Sequence, residues 1–251
     1  MGRHLYTKGG KEAYDKGKRD ARKEDLIFSV TEQLKVLANP GLGIWAKNNL
    51  LDAVQAELAD VPEVLDLIGP WDHFVNNVKV TADLPSKTAR ERGTTVHAQA
   101  SHYLNQEPYD GSDDCTKAIV KWCEANVVTT FWTEKVLVHP EFRWAGKADA
   151  YLEHQEHGAV LVDWKTSAFK NGKARFWDSY CYQLAAYREC MPENGVGCLS
   201  VLVDTGTPGE AEIQTKLWTE EELARGLKIM NLSAELFALI EKYDPSELNM
   251  N

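Results

Sequence analysis

Apolar positions along the chain follow two periods. Up to Asn126 they recur mainly at helical spacing, and from Val127 the spacing shortens toward two. Ser29-Val-Thr-Glu32 has the form of a capping box, in which hydroxyl and carboxyl satisfy orphan backbone N–H groups, and it predicts a short helix through Leu37. Asn39-Pro40-Gly41 ends that helix, and Leu42–Leu58 reads as an amphipathic one. Pro62 and Gly69-Pro70 punctuate two short segments before helices over Ser86–Asn105 and Ser112–Asn126. Val127–Val138, Phe142–Leu152 and Ala159–Thr166 are rich in β-branched and aromatic residues, are bounded by His139-Pro140 and His157-Gly158, and read as strands. Phe176–Cys190 returns to helical spacing. Cys198–Val203 and Glu212–Trp218 are strands around a Thr205–Gly209 turn, and Thr219 with Glu222 opens a long helix to about Tyr243.

This order predicts an α/β fold: a sheet with helices packed on it and a mainly helical N-terminal portion. Residues 29–251 read as one domain, with a helical portion over 29–126 and a sheet-containing core over 127–251. Residues 1–25 carry eight Lys/Arg against five Asp/Glu without helical apolar periodicity, so 1–28 reads as a polar, flexible arm, with any helix in it starting at Lys11.

Composition narrows the class. With 43% hydrophobic and 26% charged residues among 251, the chain is globular and long enough to bury a sizeable core. It lacks an apolar run of membrane-spanning length and an apolar signal core, which makes a cytoplasmic protein the expectation and excludes a membrane role. Five cysteines without a CxxC pair argue against a disulfide framework or a zinc ribbon. The net charge of −10 argues against non-specific nucleic-acid binding unless basic residues are locally gathered.

They are gathered in two places. Lys87, Arg90 and Arg92 lead into His97, and Lys165, Lys170, Lys173 and Arg175 crowd a stretch with no acid from 164 to 177. Between them lie the residues with chemical potential. Asp163 and Lys165 end an apolar strand and, two apart, share a face. If the preceding hairpin centres on Glu156, Asp149 faces Asp163, and two facing carboxylates repel unless a proton or a hard divalent ion sits between them. Glu134, taken alone, reads as a solvent-facing charge on an alternating strand. His97 follows Gly93 on a helix, and Gln183 and Tyr187 share a helical face at i, i+4.

Gly93-Thr-Thr-Val-His97, Glu134, Gly146-Lys-Ala-Asp149, Asp163-Trp-Lys165-Thr-Ser and Gln183-Leu-Ala-Ala-Tyr187 occur in that order. The set resembles the RecB-like branch of the PD-(D/E)XK nuclease superfamily, the phage-type and mitochondrial genome maintenance exonucleases above all, over about Ser29 to Cys190. The resemblance implies a restriction-endonuclease-like core with a central mixed sheet flanked by helices. It implies a Mg²⁺- or Mn²⁺-dependent DNA exonuclease serving recombination, repair or replication. Asp149, Asp163 and His97 would then bind the metal, and Lys165 would position the attacking water. Gln183 and Tyr187 would lie near the site, with Glu134 at a commonly acidic position. Lys87, Arg90, Arg92, Lys170, Lys173 and Arg175 would contact DNA. A strand-annealing or single-strand-binding protein is the implied partner. The clustered C-terminal cysteines of the iron–sulfur members are missing, so no cluster is expected. The competing readings are a structure-dependent endonuclease of the same fold, a catalytically weak DNA-binding subunit of a recombination complex, and a carboxylate-pair hydrolase of another substrate.

Overall fold

The computed structural model describes residues 4–37, 46, 48–54, 56, 71–193, 195–207, 209 and 211–246. Its first correction to the sequence reading is the arm. Strand β1 (Leu5–Tyr6) pairs antiparallel with β2 (Ile27–Phe28), and helix α1 (Lys18–Glu24) lies between them. Leu5, Tyr6, Ala21, Leu26, Ile27 and Phe28 are buried, and Phe28 meets Phe237 edge-on. The apolar positions are sparse, but all find partners far along the chain. Burial of one such large side chain contributes roughly 1.5–3 kcal/mol, enough to order a short polar segment. The Gly17 N–H donates to Asp20, which starts α1 downstream of Lys11.

Helix α2 (Val30–Gln33) opens on Ser29, whose hydroxyl accepts the Glu32 N–H as its sequence predicts. Two compact units follow from the chain's contacts: Met1–Leu37 with Val96–Asn251, and Ala38–Thr95. In the second, residues 48–54 are helical, and the rest of the expected Leu42–Leu58 helix and the Pro62 and Gly69-Pro70 breaks lie outside the described residues. Helix α3 (Trp71–Leu104) begins before the expected Ser86 and runs through Pro85. Helix α4 (Asp114–Asn126) is capped by Asp113.

The protein is an α/β protein with a central five-stranded mixed sheet flanked by helices, ordered β3 (Val127–Val138), β4 (Ala145–His154), β5 (Gly158–Ser167), β6 (Gly197–Asp204), β7 (Ile213–Leu217). Only β5 and β6 run parallel, a pairing that needs a crossover, and α5 (Asp178–Glu189) supplies it. Helix α6 (Glu220–Glu241) closes the chain on the predicted Thr219/Glu222 capping box. One side of the sheet packs Leu161, Ala148 and Tyr151 against Leu184, Tyr187, Leu223 and Met230 of α5 and α6. The other packs Leu152, Val160, Val162 and Trp164 against Val96, Ala100 and Leu104 of α3 and Ile119 of α4.

The register of β4 on β5 is the one the sequence implies: His154↔Gly158 through Ala150↔Val162. There the pairing stops. Beyond it β4 stays with β3, to Val138↔Ala145, while β5 stays with β6, to Ser167↔Asp204. The sheet forks at Asp149 and Asp163.

Candidate metal centre

At the fork the Trp164 N–H, freed from the ladder, donates to Asp149 Oδ2 at 2.8 Å. Asp149 Oδ1 meets His97 Nδ1 at 3.2 Å, the imidazole coming from α3 one residue after buried Val96. On β3, Glu134 occupies the position that the Thr133↔Ala150 and Lys135↔Ala148 pairs place opposite Asp149. Its φ of 50° is left-handed, a strained choice for a residue with a side chain. One donor atom each from His97, Glu134 and Asp149 lies within 4.8 Å of the others, so these three can hold a metal ion.

Asp163 was expected among the ligands and is not in that group. Its Oδ1 accepts from Lys165 Nζ at 2.5 Å, so the two-residue strand repeat has joined them into an ion pair. Its Oδ2 is buried without a hydrogen-bond partner, at a residue only 2% exposed. Lys165 also lies 5.4 Å over the Tyr180 ring of α5.

The electrostatics separate the two aspartates. Burial raises the Asp163 pKa above the carboxylate range, the Asp149 charge adds to this, and Lys165 offsets it only in part. Burial acts the same way on Asp149 but is outweighed by His97, Lys165 and the Trp164 N–H, which hold its pKa low. His97 is disfavoured as a cation by burial yet raised overall by Asp149, and Lys165 is likewise raised by Asp163 and Asp149 against burial.

Gln183 and Tyr187 meet as their spacing predicts, Gln183 Nε2 donating to the Tyr187 hydroxyl at 3.2 Å. Burial pushes the Tyr187 pKa far up, so it stays a neutral phenol. A Cβ on Gly146 would lie 2.6 Å from the Tyr187 ring, which explains the glycine in the Gly146–Asp149 segment. The Gly146 segment, Asp149, Lys165 and the Gln183–Tyr187 pair therefore belong to one neighbourhood.

No protein-family model and no curated protein matches this chain.

The basic residues divide between the two units. Lys87, Arg90 and Arg92 lie on the α3 portion within Ala38–Thr95, where Lys87 approaches Glu91 at 3.9 Å and Arg90 donates to the Ser86 carbonyl. Lys170, Lys173 and Arg175 are exposed or partly so and lie in the unit that holds the metal donors. Lys170 and Lys173 pair across Asn171 (φ 53°) and Gly172 (φ 67°), a tight turn for which Asn-Gly is the favoured dipeptide. The Arg175 guanidinium stacks 3.5 Å over the exposed Trp177 ring. Two anchors of this loop escaped the sequence reading. Asp204 accepts from the Phe169 and Gly206 N–H groups and the Thr207 hydroxyl, and Gln214 clamps Gly172 and Ala174. The Asn-Gly dipeptide was the visible signal for the turn; nothing local marks Asp204 or Gln214.

Proposed function

We propose that the chain is a metal-dependent deoxyribonuclease, an exonuclease of the RecB-like branch of the PD-(D/E)XK superfamily that hydrolyses phosphodiester bonds in DNA. The observation that carries this reading is the fork itself. Four titratable donors and a lysine converge where the sheet opens, and one carboxylate oxygen is buried without a partner. A buried carboxylate oxygen left without a partner is costly, and a divalent ion held by the neighbouring His97, Glu134 and Asp149 would offset its charge.

The donors fit such an ion. His97, Glu134 and Asp149 would hold it; the two carboxylates suit Mg²⁺ or Mn²⁺, and the imidazole favours Mn²⁺ of the two. A bound divalent ion would supply an acidified water and neutralise charge on the phosphate. The protein's own groups do the rest. Lys165 keeps its proton through neutral pH, and Asp163 fixes its ammonium in place, so a positive charge stands ready for the phosphate without reorganisation. Tyr187 remains a neutral hydroxyl beside the carboxylates. Lys170, Lys173 and Arg175 hold backbone phosphates from a loop anchored by Asp204 and Gln214, which gives orientation without base preference.

The test is digestion of end-labelled single- and double-stranded linear DNA, and of closed circles, in Mg²⁺ and in EDTA. Progressive loss from ends in Mg²⁺, resistance of circles and silence in EDTA are expected. Nicked circles would favour a structure-dependent endonuclease, and binding without cleavage would favour a DNA-binding subunit.

A further inference from the structure

Lys147 lies in β4 between Gly146 and Asp149, and DNA hydrolysis at the fork gives it no task. Its Nζ is 2.6 Å from Glu134 Oε2 and 3.7 Å from Glu12 Oε1. All three side chains are partly exposed, so simple charge pairing at this place contributes little to stability. What the contact does is geometric. Glu134 sits on a left-handed backbone residue, and a flexible glutamate there has several rotamers to lose before its carboxylate can face His97 and Asp149. Lys147 holds Oε2 of that carboxylate and so narrows the rotamers open to it.

Glu12 is equally placed by the fold. It bridges Tyr6 in the β1 region, and Tyr6 packs with Ile27, Ala145, Val136 and Val138 against β3 and β4. The Tyr6 and Tyr14 hydroxyls bond at 3.0 Å on either side of it in sequence. Glu12 offsets the ammonium charge that would otherwise repel an ion at Glu134.

We propose that Lys147 is a positioning residue for the metal ligand Glu134, and that the N-terminal segment, through Glu12, is part of the metal centre's support. This rests on the reading of His97, Glu134 and Asp149 as metal donors. Groups that orient a ligating carboxylate typically change metal affinity 10–100-fold when removed. The opposite role, a lysine that merely competes with the ion for Glu134, predicts the opposite sign.

The experiment is Mn²⁺ titration of the full chain, by electron paramagnetic resonance of free ion, with melting temperature in EDTA as the measure of folding. Lys147→Met should weaken Mn²⁺ binding about 10–100-fold with little change in melting. Lys147→Arg should restore most of the affinity, and Glu12→Gln should weaken binding several-fold, less than Lys147→Met, by roughly the smaller share expected of a more distant charge. Lys147→Met affinity equal to or tighter than wild type overturns the proposal; if that variant melts early, Lys147→Gln decides by the same criterion. His97→Ala separates the layers. If it loses Mn²⁺ while Lys147→Met keeps it, only the role of Lys147 falls. If it binds Mn²⁺ as wild type does, the metal reading itself fails and the proposal falls with it.

Discussion

The two ends of the β4–β5 pair obey different rules. At the turn, pairing is unbroken from His154↔Gly158 to Ala150↔Val162, and Leu152, Val160 and Val162 fill the core. One residue beyond Ala150 the same strands part, and Asp149, Asp163 and Lys165 occupy the gap with Glu134 and His97 beside them. A ladder with apolar faces is a solution for stability. A fork lined by charge is not, and it persists because the turn end and the β5–β6 pairing hold the strands on both sides of it.

The largest effect that tests this division is at Lys165. Lys165→Ala should lower cleavage of end-labelled DNA by roughly 10²–10³-fold. It also strips a buried carboxylate of its partner, so the folding stability should fall by an amount on the order of 2 kcal/mol at neutral pH, tempered by proton uptake at Asp163, and the melting temperature with it. Lost cleavage without any lost stability would mean that Asp163 does not depend on the ion pair. Next comes Gly146→Ala, which drives a methyl into the Tyr187 ring and should cost about 1–3 kcal/mol with reduced activity. An unchanged melting temperature would show that Tyr187 moves aside at no cost.

Away from the fork, replacing Lys170, Lys173 and Arg175 together by alanine should weaken DNA binding regardless of sequence. The log–log salt slope should fall by roughly 0.7–0.9 for each phosphate that is no longer neutralised. A slope that does not move would take the DNA path elsewhere.

The smallest effect separates the two ends by pH, in EDTA. At the turn, burial and the stacked His157 lower the pKa of His154. Its neutral form is the one the fold prefers, so its contribution is full above the ordinary histidine pKa and fades as pH falls through the lowered one. At the fork, Asp163 and His97 are both raised. The His97 contribution is full below the ordinary histidine pKa, that of Asp163 below the ordinary carboxyl pKa, and each fades as pH rises through its raised pKa. His154→Gln should therefore flatten the limb of melting temperature that rises with pH, and Asp163→Asn the limb that falls with pH between the ordinary carboxyl pKa and about 6. Both variants flattening the same limb would contradict the opposed electrostatics of the two ends.

Much of this was legible because strands announce themselves locally. Val127–Val138 is β3 to the residue, and a hairpin centred on Glu156 fixed the approach of Asp149 to Asp163. The shared face of Gln183 and Tyr187 followed from helical spacing and that of Asp163 and Lys165 from the strand period, while His97 as a donor came only from the resemblance of the ordered motifs. What stayed hidden depends on distant partners. Leu5, Ala13, Ala21 and Phe28 show no period, yet they are buried together with Phe237. Glu134 alternates like a solvent-facing residue, and its left-handed backbone and its place beside His97 and Asp149 are visible only in the fold. The role of Asp163 was half visible: its nearness to Asp149 could be counted, but its capture by Lys165 depends on where the fork turns both side chains.

The central claim is that an ion held at the fork enables DNA hydrolysis. The most direct measurement follows Mn²⁺ occupancy and cleavage of end-labelled DNA in the same titration, for wild type and Asp149→Asn. Cleavage should rise in proportion to occupancy of a site that Asp149→Asn weakens, and both should vanish on adding EDTA. Cleavage that persists in EDTA, or that saturates independently of the ion bound at this site, would contradict the account.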